Sequence, residues 1–316
     1  MTFACLIVPF LKIPKYDIVF GYEPSPVTVA LPAILLKKIK KIPFVFYVLD
    51  LWPESVSAVG AVKSKIILNT IRLLVNYIYK NCDKILVPSR GFISNIKSYG
   101  IDDKHIFYWP QWAEEIFNSK NYNNYEIEKF PDGFKIFFAG NIGAAQGLDV
   151  IINAAILLKE YKKIYWIIIG DGRMKPWLEE QIDKYNLNAN IILLGRKPIE
   201  VMPNYFLAAD SLFLSLKNDP IFNLTLPAKI QTYLACGKPI IAAIDGEAAN
   251  VIADSKSGLS CGSNDPEKLA EIVIQLYQMN EDDRIRMGRN GFEYYEKHFK
   301  SDLLLKKLIN IFNDLL

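Results

Sequence analysis

Residues Leu216 to Ile244 read LKNDPIFNLTLPAKIQTYLACGKPIIAAI. Prolines and asparagines break up Lys217 to Pro227, so that part is expected to be a loop. Ile230, Tyr233 and Leu234 then recur at helical spacing, which predicts a helix over Ala228 to Cys236 that stops at Gly237. Pro227 is tolerated in its first turn, because the missing N–H would have no intrahelical partner there. Pro239 to Ala243 follows as a buried strand. A loop that delivers into an uncapped helix end leaves N–H groups and a partial positive charge open to a phosphate or carboxylate. Lys229 adds a full charge. A cation at a helix start is unfavourable by a few tenths to roughly 1 kcal/mol, so either an anion offsets it or the lysine is solvated.

Outward from this stretch the same strand-then-helix unit repeats. Strands are predicted at Phe134 to Ala139, Ile164 to Ile169, Ile191 to Leu194, Ser211 to Leu216 and Gly258 to Cys261. Helices are predicted at Leu148 to Lys159, Lys175 to Tyr185, Pro266 to Met279 and Asp282 to Phe299. Such alternation implies a parallel sheet covered on both faces. Upstream, Glu114 to Gly133 is polar, rich in asparagine and aperiodic, and reads as a linker. Before it, Tyr16 to Gly21, Pro43 to Leu49, Lys84 to Val87 and Ile106 to Tyr108 repeat the pattern, with a helix at Ile66 to Lys80. The expected division is residues 1–113, linker 114–133 and residues 134–316, with the last helix packing back on the first domain.

The chain has 316 residues, 51% of them hydrophobic, enough for two packed cores. A net charge of +3 is too mild for a nucleic-acid partner. Cys5, Cys82, Cys236 and Cys261 match no zinc spacing, and a reducing cytoplasm is expected. The apolar start lacks a basic leader and a cleavage site, and no run reaches the roughly 18 apolar residues of a membrane span. His105, beside a strand, reads as structural, and His298 lies in a helix pattern; neither is expected to be a base.

Three turns at strand ends invite an anion. Gly140, Gly143 and Gly147 in FAGNIGAAQG allow close approach of backbone to phosphate, although a tight turn alone would also use them. IGDGR, which fits plain chain reversal equally well, carries Arg173, which could reach an anion, and LGRKP, commonplace on its own, carries Arg196 and Lys197. No acidic residue stands at the distance a dinucleotide ribose needs, which weighs against a dehydrogenase.

Taken in order, the glycine turn, IGDG, GRKP, AAD and LPAKIQTYLACGKPII resemble the second domain of family 4 glycosyltransferases of the GT-B fold. The similarity runs from about Lys135 to Phe299, and PFVFYVLDLWPES with CDKILVPSRG resembles the first domain. LDLWPES, GNIGAAQGL and DPIFNLTLPAKIQTYLACGKPI are similar to O-antigen, capsule and colanic-acid transferases, including L-fucosamine transferases. The resemblance implies two facing Rossmann-like domains, with the first one short at its start. It implies a retaining, metal-independent transfer of a sugar, possibly an amino- or deoxy-sugar, from a nucleotide-sugar such as a UDP-sugar. The acceptor would be a lipid-linked glycan at the inner face of the cytoplasmic membrane, in O-antigen, lipopolysaccharide or capsule synthesis. No cofactor is implied.

The chain departs from the family where charge matters. Asn141 and Gln146 stand where relatives often have an arginine and a lysine, and Leu224 and Thr232 replace a pair of glutamates. Lys229, Arg196 and Arg173 are then the cations expected to meet the diphosphate. Asp219 and the backbone from Ile221 to Thr225, Leu224 included, would meet sugar hydroxyls, Thr232 a hydroxyl, and Arg196 with Lys197 the base through their backbone. In the first domain Asp50 and Glu54 flank Trp52 at a strand end, and Asp50 is the expected base or acceptor-orienting group. Alternatively Asp50 caps the next helix. Lys12, Lys15, Lys37, Lys38, Lys40 and Lys41 could hold an anionic membrane surface, or could simply be solvated helix residues. Two other readings stay open: a binding protein without turnover, and a nucleotide-sugar epimerase of related fold.

Overall fold

The computed structural model describes residues 16–58, 60–117 and 125–316. They form two compact units, each around its own parallel sheet. One unit takes in the described residues up to Gln111 together with Leu224–Leu226 and Asp302–Leu316; the other takes in Trp112–Asn223 and Pro227–Ser301.

In the first unit the elements run β1 (Val19–Glu23), α1 (Ala30–Lys40), β2 (Phe44–Val48), α2 (Glu54–Ala58), α3 (Lys65–Lys80), β3 (Lys84–Val87), α4 (Gly91–Lys97) and β4 (Ile106–Tyr108). The four strands pair in sequence order, all parallel. All five residues of β2 are buried, as an inner strand with both faces covered requires. β1 extends past the predicted Gly21, because Tyr22 and Glu23 stay in register with Tyr47 and Val48.

The second unit continues with β5 (Phe134–Ala139), α5 (Asp149–Leu157), β6 (Ile164–Ile169), α6 (Lys175–Lys184), β7 (Ile191–Gly195), α7 (Met202–Ala208) and β8 (Ser211–Ser215). It closes with α8 (Pro220–Asn223), α9 (Ala228–Ala235), β9 (Ile240–Ala243), α10 (Glu247–Ser255), β10 (Gly258–Cys261), α11 (Pro266–Gln278) and α12 (Glu281–His298). The sheet order is β10-β9-β8-β5-β6-β7, entirely parallel. Strand order therefore reverses between β5 and β8, and such a reversal opens a crevice at the carboxyl ends of the strands. Phe138, Ile168 and Phe213 belong to one buried core, in which the rings of Trp166 and Phe213 meet edge to face at 5.2 Å.

Three sequence expectations are corrected here. The loop from Lys217 holds one helical turn, α8, because Asp219 Oδ1 accepts the Ile221 N–H at 2.9 Å and so starts it. Pro227 does not stand inside α9 but just before it, with extended φ −64° and ψ 136°. The chain does not end its helices at Phe299: α13 (Ser301–Asn313) follows, belonging from Asp302 on to the first unit. There Trp109 Nε1 donates to Leu304 O at 2.7 Å, and the Phe20 and Phe312 rings meet at 5.9 Å.

Candidate functional site

A cavity of about 990 Å³ lies wholly in the second unit, at the carboxyl ends of β5, β6 and β7 and the first turn of α9. Two glycines make its floor possible. Gly140 ends β5 with φ +145° and donates its N–H to Ile169 O at 2.9 Å. Gly170 ends β6 with φ +150°, and a Cβ there would stand 1.8 Å from Gly140 O. Any side chain at Gly170 would drive these turns apart.

Lys229 enters from the first turn of α9, which no side chain caps. Its Nζ donates to Gln146 Oε1 at 2.8 Å and stands 4.2 Å from the centre of the Phe138 ring. A Cβ on Gly140 would fall within 2.6 Å of that nitrogen, so the ammonium lies directly along the glycine. Burial pushes its pKa down to about 8. Among the described residues no carboxylate pairs with it. A buried cation held by one neutral acceptor is incompletely compensated, and an anion in the cavity would complete it.

The rest of the wall is mixed. Arg196 follows β7 and lines the cavity with an exposed side chain. Lys197 lines it too, but its Nζ is bound by Glu128, which also accepts from the Tyr205 hydroxyl. The hydrogen bond from Lys197, followed by that from Tyr205, holds Glu128 down to about 2. Thr232, one turn into α9, lines the cavity and donates to Ala228 O at 3.3 Å. Phe117 and Phe206 stack at 5.7 Å and give an apolar wall.

Of the residues singled out from sequence, the cavity brings together Gly140, Asn141, Arg196, Lys197, Lys229 and Thr232. Gly143, Arg173, Asp219, Leu224 and Thr225 are not among its lining. Arg173 is exposed, and Gly143 precedes the turn Ala144–Gln146. Leu224 groups with the first unit, where its carbonyl accepts from Ser89 Oγ at 2.5 Å.

In the first unit Asp50 follows β2, and its carboxylate accepts from Trp52 Nε1 at 3.2 Å. It does not cap the next helix: α2 begins at Glu54, with Ser55 N–H bonded to Leu51 O. Glu54 pairs with Arg72 at 3.2 Å. Sequence reasoning missed Glu23, which ends β1 against the backbone of Leu49 and Asp50. It is fully buried, and its carboxyl faces the backbone of Asp50 and Leu49 without a hydrogen bond of full geometry. Burial first, and the charge of Asp50 second, push its pKa up to about 9, against a smaller lowering by the backbone of Asp50 and Leu49. The available signal was positional, since both carboxylates end adjacent parallel strands. His105 Nδ1 lies 2.8 Å from Asp83 O, a structural contact. Lys12 and Lys15 lie outside the described residues.

Fold and site together define a doubly wound α/β protein with a glycine-floored crevice at the strand ends, lined by Lys229, Arg196 and Lys197 and also by Asp171 and Glu200. The family model for glycosyl transferases group 1 matches residues 122–294, over half of the chain, and the protein belongs to that family. It is 27% identical over 271 residues to a Pseudomonas aeruginosa protein named as glycosyltransferase WbjE, covering 82% of this chain and 66% of that one. It is 23% identical over 241 residues to an Escherichia coli K12 protein named as the colanic acid biosynthesis glycosyl transferase WcaI, covering 73% and 57%. The chain thus spans two thirds or less of the length of these relatives. Its fold is similar to the Anabaena Alr3699/HepE structure in complex with UDP, with TM-score 0.78 and 14% identity over 99% of this chain and 82% of that one. It is also similar to an E. coli trehalose-6-phosphate structure bound with UDP-2-fluoro glucose, with TM-score 0.74 and 14% identity over 98% and 75%. The fold is that of the GT-B glycosyltransferases.

Proposed function

We propose that the protein transfers a sugar from a UDP-sugar, with retention at the anomeric carbon, to a lipid-linked glycan in bacterial surface-polysaccharide synthesis such as that of O-antigen or capsule. The observation that carries this reading is Lys229, a buried, carboxylate-free ammonium along the glycine turn of β5. A sugar leaving from a nucleotide develops negative charge on its diphosphate, and fixed cations and N–H groups stabilise that charge as it forms. Lys229, Arg196 and the turn at Gly140 and Asn141 are the groups proposed to do so, with no metal or cofactor required. Thr232 takes a ribose or sugar hydroxyl, and the backbone of Arg196 and Lys197 frames the base against Phe117 and Phe206. Asp50 orients or deprotonates the acceptor hydroxyl. Structural neighbours in complex with UDP and with UDP-glucose, and a relative named for colanic acid biosynthesis, support the donor and the pathway class.

Calorimetric titration with UDP, comparing the natural chain with Lys229→Ala, tests the donor site. Weakening by about tenfold or more, the scale of a lost charge-assisted bond, is expected. No heat with UDP, GDP or ADP would overturn it. Leu224 and Thr232 in place of two glutamates favour a second reading, binding without turnover. A UDP-sugar that binds but yields neither transfer nor free sugar would establish that one.

A further inference from the structure

The helix α3 is apolar on two opposite sides. Its inward side buries Val75, Ile78 and Tyr79. At 100° per residue, Ile66, Leu73 and Tyr77 stack along one line, and Val75 stands half a turn away from Ile66. Those three side chains are 80%, 71% and 44% exposed, and Ile67 beside them is 51% exposed. A helix on the surface of a globular protein carries polar residues on that side. Here Thr70 and Asn69 are the polar residues on that side, and its large side chains are apolar.

The surroundings say what kind of partner it suits. Lys38, near the end of α1, donates from Nζ to the Tyr77 hydroxyl at 3.0 Å and sits 5.2 Å from its ring centre. Lys40 and Lys41 beside it are exposed, as are Lys65 and Lys80 at the two ends of α3. Ile39, 42% exposed, lies between these lysines. Neither α1 nor α3 contains an aspartate or glutamate. Two copies meeting through this face would set lysines against lysines. An anionic surface with an apolar interior satisfies both features at once.

We propose that the outer face of α3, with the end of α1, docks the protein on the anionic surface of a lipid bilayer. Ile66, Leu73 and Tyr77 enter the boundary between headgroups and acyl chains, and Lys38, Lys40, Lys41, Lys65 and Lys80 meet the lipid phosphates. No helix among the described residues is long and apolar enough to cross a membrane, so this contact lies on the surface. The inference stands apart from the donor reading, because vesicle binding and UDP binding are measured separately and either can fail alone.

Cosedimentation of the full chain with phosphatidylcholine vesicles, with and without phosphatidylglycerol, tests it. Binding is expected only when the anionic lipid is present and should weaken with salt. Ile66→Ser with Leu73→Ser should lower it by about tenfold or more, given what each buried apolar side chain contributes. Lys38→Gln and Lys41→Gln should each lower it by about fivefold, the worth of one lysine at such a surface. UDP titration and thermal melting of the variants show that the fold is intact. Absence of binding to anionic vesicles overturns the proposal, as does binding that survives the apolar double change. A dimer that Leu73→Ser converts to monomer would also overturn it, by assigning the face to a second copy.

Discussion

Lys229 Nζ donates to Gln146 Oε1 at 2.8 Å, so a neutral amide is the chief polar partner of the most buried cation at the site. The glutamine fixes the ammonium in position without neutralising it. The charge remains available to a ligand, and the fold carries the cost of keeping it there. Lys229→Met is therefore expected to move stability and affinity in opposite directions. UDP binding should weaken by about tenfold or more. Stability at neutral pH should rise by roughly 1–3 kcal/mol, since a buried charge gives way to an apolar chain of similar length. Urea unfolding beside calorimetry checks both, and a variant that loses stability and affinity together would make Lys229 a packing residue.

The same burial gives the site a pH signature. With the Lys229 pKa lowered to about 8, the folded protein releases this proton before the unfolded chain does. The destabilisation is complete below pH 8 and is relieved as pH rises towards the usual lysine range near 10.5. A diphosphate beside the ammonium favours its charged form, so UDP binding near pH 8 should take up a fraction of a proton. Affinity should be level below about pH 8 and fall by up to about tenfold per pH unit above it. Titrations in two buffers of different ionisation heat measure the uptake directly. Identical heats would mean that no phosphate approaches Lys229.

Most of this architecture is written locally. Lys84–Val87, Ile106–Tyr108, Phe134–Ala139, Ile164–Ile169 and Gly258–Cys261 are read from sequence at their observed bounds, because each is an apolar run closed by turn residues or charges. Lys229 and Gly140 are legible for the same reason, one at a helix start and the other at a strand end. Glu23 is not, since what buries it is the register of β1 against β2, a pairing of residues far apart in the chain. Arg173 and Asp219 show a limit of the opposite sense. Each stands at a turn that could face a ligand, but local pattern does not say which way a turn points, and neither lines the cavity.

Glu23 gives the first unit a pH dependence of its own. Its folded pKa of about 9 lies above the ordinary 4.5, so the folded protein still holds a proton that the unfolded chain has given up. The contribution is fully favourable below about pH 4.5 and is lost as pH rises, at about 1.4 kcal/mol per unit, levelling off near pH 9. Glu23→Gln keeps the shape and the neutrality without that slope. The variant should match the natural chain in acid and exceed it by roughly 3 kcal/mol at neutral pH. Unfolding curves across this interval decide it. Parallel pH profiles would mean that the carboxyl is ionised and compensated in the folded state.

Gly170 tests whether the cavity floor is rigid. A Cβ there meets Gly140 O at 1.8 Å, whereas one at Gly100, also of positive φ, meets nothing within 4 Å. Gly100→Ala should cost only the backbone strain of about 1 kcal/mol, with UDP affinity unchanged. Gly170→Ala adds overpacking of roughly 1–3 kcal/mol and must shift the turn that carries Asn141, so affinity should fall with stability. Equal losses in both variants would show that the turns at Gly140 and Gly170 separate easily.

Asp50 is the residue whose substitution separates binding from turnover. Its carboxylate is oriented by Trp52 Nε1, and an asparagine oxygen could keep that bond at the same 3.2 Å. Asp50→Asn should therefore preserve the fold and, because Asp50 is absent from the lining of the cavity proposed to take the nucleotide, preserve UDP affinity. Proton transfer by a placed side chain contributes about 10²–10⁴-fold to a rate. In the retaining, same-face transfer proposed above, the departing phosphate can itself take the acceptor proton, so a loss near the lower figure, about 10²-fold in kcat, is expected. A rise in KM for the acceptor alone would make Asp50 an orienting residue. A loss of UDP affinity equal to the loss of turnover would instead assign Asp50 to the donor and remove it from acceptor chemistry.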